Sequence, residues 1–236
     1  MRQLILISAM TLVLGVFFLL RWDLLRVSIT GNCTVCDLRH TNLSGYNLQN
    51  ADLSSSDLSD AYLYSANLEN ANLTNVSLRR TGLQWANLNG ALLTGADLRS
   101  ASLTGVSLTN TDLQNAILQG AEFRGVDFSG MNLSNVDLSN VIFEPLERQK
   151  QHPVPTKLIN TNLKKSNLAG ANLAYADMTG ANLSGANLSG ANLFNTNFTN
   201  ANLSNVTLGR NVLSQSLLCH TVLPDSSIDT SDCQDN

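Results

Sequence analysis

A large apolar residue stands on every fifth position from Leu38 to Phe143 and again from Leu158 to Leu223, and the residue two before it is usually small. The unit is A-(N/D)-L-x-x, as in Ala51-Asp52-Leu53, Ala71-Asn72-Leu73, Ala96-Asp97-Leu98, Ala181-Asn182-Leu183, Ala186-Asn187-Leu188 and Ala191-Asn192-Leu193. A period of five suits neither regular element. On an α-helix five residues advance about 500°, so the leucines would spiral around the surface; on a flat strand they would change face at every repeat. The chain must therefore bend once per unit, sending each Leu and its small partner inward and three polar positions outward. Stacked turns of this kind bury a continuous Leu/Ala column.

These residues resemble the pentapeptide-repeat family, in which Leu or Phe is central, Ala lies two before it and the polar positions face solvent. The resemblance implies an all-β fold, a right-handed quadrilateral β-helix with four units per coil. Most members of the family have no assigned activity, and some bacterial members resemble duplex DNA in shape and charge and act on gyrase. The two stretches hold 22 and 14 units. At four per coil they make nine coils, and at roughly 4.8 Å per stacked layer a rod about 40 Å long. The expected organisation is a membrane anchor or signal segment over 1–30, β-helix over 31–143, a Pro-rich charged loop over 144–157, β-helix again over 158–223 and a capping tail over 224–236.

Composition narrows the partners. Only 14% of residues are charged, against about 25% in an average globular chain, and the formal net charge is −4. The surface is expected to be amide and hydroxyl, with no basic patch of the kind that binds nucleic acid, so no nucleic-acid partner is expected.

Leu4 to Leu20 is an uncharged, mostly apolar run, preceded by Arg2 and followed by Arg21-Trp22. A secretory signal has a shorter apolar core, about 7–15 residues, and then a small-x-small cleavage site. Here nothing small follows until Ser28, which favours an uncleaved helix crossing a membrane, with a cleaved signal as the alternative. Arg2 and the α-amino group are matched by Arg21 and Arg26, so charge sets no orientation.

The four cysteines form two pairs, Cys33-x-x-Cys36 where the repeats begin and Cys219 with Cys233 where they end. At opposite ends of a rod the pairs are too far apart to share one zinc, despite His220 beside Cys219. Structural disulfides are the expected state, with free thiols and redox or metal chemistry as alternatives. The ends also resemble a narrower group. Leu24-Leu25 with Cys33-Thr34-Val35-Cys36-Asp37-Leu38 looks like the opening of cyanobacterial and chloroplast-lumen members. Cys219-His220-Thr221 through Pro224-Asp225 and Ile228 to Cys233 looks like their ending, with Ser226 where Gly is usual. That resemblance implies a cyanobacterial or plastid source and a rod facing the thylakoid lumen or periplasm.

The register breaks at 144–157, which contains Pro145, Pro153 and Pro155 and the charged Arg148 and Lys150 beside His152. Proline donates to no ladder. Phe143 and Leu158 are three units apart in phase, as though a loop replaced two sides of one coil. Lys164 and Lys165 follow closely, so the loop and these lysines are candidates for a small basic docking patch, with a plain solvent insertion as the alternative.

Residues one coil apart should stack, which sorts the outward positions. Asp37, Asp57, Asp97 and Asp137 share a face, yet Arg39, Arg79 and Arg99 share it too, so no continuous acidic stripe is expected. Tyr62, Tyr64 and Trp85 are expected on adjacent rungs, as are Tyr175 and Phe194. Such clusters on a polar rod are candidate protein contacts, with local stacking between rungs as the alternative. Tyr46 takes an inward position usually held by Ala and is expected to plug the N-terminal coil.

Catalysis has no foothold in this pattern. His40, His152 and His220 lie far apart, most acids face water beside a central Leu, and a filled interior leaves no pocket. No catalytic, cofactor or metal site is expected. The reading is a membrane-tethered, non-enzymatic scaffold, spacer or assembly factor for a protein partner. The alternatives are a DNA-mimicking inhibitor of a DNA-processing enzyme and a lumenal thiol-redox sensor using Cys33 and Cys36.

Overall fold

The computed structural model describes residues 23–24, 26–27, 30–147, 154–209 and 213–233. Within them the chain winds as a solenoid, each unit pairing with the unit one coil on. Parallel bridges join Asp37 to Asp57, Asn42 to Tyr62, Asn47 to Asn67 and Asp52 to Asn72, and the same offset recurs up the rod. Four units therefore close one coil.

The five-residue motif follows from where the backbone groups go. Leu48 N–H donates to Asn67 O at 2.7 Å, Asn50 N–H to Glu69 O at 2.8 Å, and Asn67 N–H back to Tyr46 O at 2.9 Å. Ala51 N–H closes the corner on Leu48 O at 3.0 Å. One donor per unit is left, that of the residue after the Leu. The Asn or Asp before the Leu accepts it, as Asn47 Oδ1 does from Gln49 N–H at 3.2 Å and Asp57 Oδ1 from Ser59 N–H at 2.9 Å. Buried backbone favours being paired, which accounts for Asn or Asp at this position in 22 of the 36 units. Between coils the Asn amides also stack, Asn87 Nδ2 donating to Asn67 Oδ1 and Asn67 Nδ2 to Asn47 Oδ1, each at 3.2 Å.

The second corner residue has a positive φ at nearly every turn, among them Asn50 (58°), Asn70 (55°), Trp85 (63°) and Tyr175 (60°). This is the type II turn signature, and Asn and Gly fill most corners because they tolerate it. Leu53, Leu98 and Leu188 are fully buried in one column with Ala71, Ala96 and Ala186. Where the small position is Thr, its hydroxyl reaches down to a carbonyl, as Thr81 Oγ1 does to Leu58 O at 2.8 Å.

Both ends are covered. Asp23, Leu24, Arg26, Val27 and Thr30 are helical, Val27 is 2% exposed on the first coil, and Asp23 Oδ2 accepts the Asp37 N–H at 2.9 Å. Residues assigned to the leader from Asp23 onward thus form the lid of the rod. The run Leu4–Leu20, expected to cross a membrane, lies outside the described residues. No helix among the described residues is long and apolar enough to cross one. Tyr46 is 37% exposed and so does not plug the coil; Val27 and Leu24 pack on the core at this end instead. At the other end, Leu213–Gln215 forms a 3₁₀ turn. Strands β1 (Thr221–Val222) and β2 (Ile228–Asp229) then pair antiparallel. Asp232 Oδ2 accepts the Leu218 N–H at 3.0 Å, standing in for a coil that does not follow.

The interruption is not the replacement of two sides. Asp127 bridges Lys157, Asn132 bridges Asn162, Asp137 bridges Asn167 and Ile142 bridges Asn172. Leu158 therefore sits directly on Phe128, and the extra residues leave the rod after Phe143 and return at Thr156 without taking any side of the coil. Their neck is pinched by Leu146 and Val154, which exchange backbone hydrogen bonds at 2.8 and 3.0 Å. Returning Thr156 is buried and donates to Phe123 O at 2.8 Å.

One joint in the rod is open. Among the described residues, the N–H groups of Leu108, Asn110, Leu113, Asn115 and Leu118 make none of the bonds that their counterparts make to the next coil. Asp127, Asn132 and Asp137 make none back. The joint stays closed at Ser102 and Glu122, and Gly120 N–H still reaches Ser139 O at 2.9 Å. Volume explains it: the small positions of the upper coil are Val126, Met131, Val136 and Val141, where the coil from Ala86 to Ala101 has only alanine. Phe128 and Phe143 fill the upper coil and Phe123 lies one coil below Phe143, with ring centroids 5.0 to 5.9 Å apart. Overfilling a packed core is relieved by backbone movement, here a wedge between two coils.

Candidate functional site

The extruded loop decides which outward residues meet. Bridges run without a break from Tyr62 through Gly82, Ser102, Glu122 and Ile142, and then, across the loop, to Asn172 and Asn192. The corners that follow these residues form one edge of the rod. Along it stand Tyr64, Trp85, Gly105, Arg124, the root of the loop at Glu144, Tyr175 and Phe194. Both expected aromatic clusters and the loop thus share an edge; had the loop replaced two sides, Tyr175 and Phe194 would face the opposite way.

Tyr62 and Tyr64 are 61% and 54% exposed, and Trp85 is half-buried. Trp85 lies over Gly105 of the next coil: a Cβ added there would come 2.4 Å from Trp85 Cζ3, so glycine is what admits the indole. Tyr175 and Phe194 meet edge to face at 5.4 Å and remain 46% and 38% exposed. Between the two clusters, Arg124 pairs with both Glu122 and Glu144, and the Asn172 amide donates to Glu144. Burial pulls the Arg124 pKa down, but its hydrogen bonds to Glu122 and Glu144 outweigh that and raise it. The loop is therefore tied at its root by charge. Leu146 lies against Gly125 on the same edge.

Other candidates are placed elsewhere. Lys164 and Lys165 are exposed at the corner after Leu163. That corner is two turns of the square away from the loop's exit, so closeness in sequence does not become closeness in space. Arg148, Lys150 and His152 lie outside the described residues.

The acidic face carries its own counter-charges. Arg39 pairs with Asp37 at 2.7 Å and Arg80 with Asp60 at 2.7 Å, while Arg79 and Arg99 hold Asp97 at 2.5 and 2.6 Å. The Arg39 guanidinium holds the Asp37 carboxyl below its ordinary value, and Arg80 does the same for Asp60. Arginines thus interrupt the negative face expected of a DNA mimic at Asp37 and Asp97, while Asp137 has no cation paired to it among the described residues.

Cys33 is bridged to Cys36 and Cys219 to Cys233. Each pair has a further group near its sulfurs, the Asp23 carboxylate at one end and His220 at the other, whose Nδ1 is 3.8 Å from Cys219 Sγ. Bridged sulfurs are not thiolate ligands, so these clusters are read as cross-links. Cys33 and Cys36 are buried beneath the helical lid.

The role of Asn and Asp as corner acceptors was not anticipated from sequence, although their use before the central residue in 22 of the 36 units is its signal. The open joint was also missed; four large residues in a row at the small position mark it.

A family model described as pentapeptide repeats matches residues 32–144 and 156–210. Among solved structures, the chain is similar to HetL, a pentapeptide repeat protein involved in heterocyst differentiation regulation from the cyanobacterium Nostoc sp. strain PCC 7120. The two are 28% identical, with 88% of this chain and 98% of HetL covered and a TM-score of 0.72. QnrB1, a plasmid-mediated fluoroquinolone resistance protein, is 17% identical over 77% of this chain and 84% of its own, with a TM-score of 0.60, and shares the fold. No curated protein matches.

Proposed function

The chain belongs to the pentapeptide-repeat family, and from that premise we propose that it is a non-catalytic scaffold that holds a protein partner along the edge carrying Tyr64, Trp85, Tyr175 and Phe194. The observation that carries this reading is the loop's phase, which sets both aromatic clusters and the loop root on one line. Tyr and Trp dominate interface energetics, and aligned rungs present them as one strip.

The paired Arg and Asp residues weigh against a DNA mimic. Burial of Cys33 and Cys36 weighs against a thiol sensor, which needs an accessible sulfur.

The scaffold is tethered, in this reading, by the apolar run Leu4–Leu20, with the rod in an oxidising compartment, the thylakoid lumen or the periplasm. Two disulfides suit such a compartment. Protease protection in sealed membranes tests the placement: a rod digested from the cytoplasmic side contradicts it. A photo-crosslinking residue placed at Tyr64 or Tyr175 in the native cells tests the edge. One discrete protein adduct is expected from these positions and none from Lys164 on the diagonal corner. Equal labelling from both corners, or adducts with nucleic acid, would refute the scaffold edge.

A further inference from the structure

The open joint between coils lies on sides of the rod that the aromatic edge does not use. A groove of about 660 Å³ runs there, lined by Leu108 to Gln114 below and by Asp127 and Ser129 to Asn132 above. Its two lips are rows of backbone groups that elsewhere in the rod are paired: the N–H groups of Leu108, Asn110 and Leu113 on one, those of Asp127 and Asn132 on the other. The interior shows faintly through the gap, with Leu108 at 3%, Leu113 at 4% and Thr111 at 8% exposure, where Leu88 and Leu93 show none.

Unpaired ladder edges are templates for an added strand. Two such edges facing each other specify more than one would, because an inserted segment must run extended along each side and bend at the Asn110 corner, as the coils do, to bond to both. The groove also states a charge. Asp112 lines it and accepts hydrogen bonds from Thr94 Oγ1 at 2.9 Å and from Gln114 N–H at 2.9 Å, with no cation paired to it among the described residues. Asp127 lines the neighbouring side of the groove and has Lys157 at 3.4 Å.

We propose that this joint is a binding site for an extended peptide segment of a partner protein bearing a basic side chain, which inserts as an extra rung between the coils and places its cation at Asp112. Ser102 and Glu122 hold the closed side and act as the hinge. The inference deepens the scaffold reading, on which it rests, by naming a second contact and the chemistry of what fills it.

Residue-resolved amide exchange on the full chain, kept soluble in mild detergent, tests the site. The probe is a capped octapeptide of alternating valine and lysine; the controls are the same peptide N-methylated at alternate residues and a valine–glutamate version. In the free protein the Leu108 and Leu113 amides should exchange at least about a hundredfold faster than those of Leu98 and Leu183, and the valine–lysine peptide should slow them at least about tenfold. Neither control should do so. Met131→Ala combined with Val136→Ala relieves the crowding, so these amides should become protected without peptide and the peptide effect should vanish.

Leu108 and Leu113 amides as protected as Leu98 in the free protein would overturn the proposal, as would no slowing by the peptide. Slowing that persists in a variant whose joint has closed would also overturn it, by placing the peptide elsewhere. If the peptide fails while the cross-link at Tyr175 still forms, the strand site falls and the scaffold edge stands.

Discussion

The Tyr175 ring packs edge to face on the Phe194 ring one coil away, centroids 5.4 Å apart and planes at 78°, while Tyr175 itself holds a φ of +60°. Relief of corner strain and loss of the ring pair oppose each other. Glycine at this corner removes a cost of about 1–2 kcal/mol and forfeits about 0.5–1.5 kcal/mol of aromatic contact. Tyr175→Gly should therefore leave stability within about 1 kcal/mol of the parent while cross-linking from Tyr64 to the partner falls. Thermal melting beside the adduct yield checks this; a large loss of stability with an unchanged adduct would make Tyr175 a structural residue only.

The core and the edge should respond differently to truncation. Leu98 is fully buried and Tyr62 is 61% exposed. Leu98→Ala should cost about 2–5 kcal/mol and Tyr62→Ala no more than about 0.5 kcal/mol, read from chemical denaturation monitored by circular dichroism.

The Asn ladder should be felt through its acceptor more than its donor. Asn67 Oδ1 receives the Glu69 N–H and the Asn87 amide, each at 3.2 Å, and its own amide donates to Asn47. Asn67→Ala loses all three and should cost about 1–2 kcal/mol, whereas Asn67→Asp keeps both acceptor roles and should cost less than about 1 kcal/mol. Equal melting temperatures for the two variants would contradict the assignment.

Acid should loosen the N-terminal coils. Arg39 depresses Asp37, a hydrogen bond from Ser54 depresses Asp52, and Arg80 depresses Asp60. A depressed carboxyl contributes stability that is fully present above its unfolded pKa, about 3.9, and is lost as pH falls through its folded value. Melting should be flat from pH 7 to about 5 and decline below about 4. Nuclear magnetic resonance titration of Asp60 in Arg80→Gln should show its pKa rising toward the ordinary value; an unchanged titration would remove Arg80 as the cause.

The tail should come loose when its bridge is lost. The Cys219–Cys233 bridge closes a loop of sequence separation 14, worth about 3 kcal/mol by the chain-entropy estimate. Cys233→Ser should expose residues 224–231 to proteolysis and leave the coils below resistant. Unchanged digestion would mean that the β1–β2 hairpin and the Asp232 bond to Leu218 suffice.

How much of this was legible in the sequence depends on what a five-residue period encodes. It fixes which side chains point inward, so the burial of Leu53, Leu98 and Leu188 could be read directly. It does not fix the path across an insertion. Phe143 to Leu158 is a whole number of units whether the loop replaces sides or leaves the rod, and only the pairing of Ile142 with Asn172 separates the two. The same ambiguity hid the shared edge of Tyr64 and Tyr175, and let Lys164 look close to the loop when it stands diagonally across. The wedge at Leu108 arose from volume, which the polar-apolar pattern does not carry: Val126 and Met131 read as apolar, as Ala does, but are too large for a position built for a methyl group.

That pairing is also where the account is tested most directly. Parallel neighbours in a ladder lie about 4.8 Å apart, within the about 4.4–6.8 Å that a disulfide spans between Cα atoms. Ile142→Cys combined with Asn172→Cys should therefore oxidise to an intramolecular bridge, detected by mass spectrometry of the digested protein, while Ile142→Cys combined with Asn162→Cys should not. The reverse result would return the loop to the body of the coil, turn Tyr175 and Phe194 to the far side of the rod, and contradict the single aromatic edge.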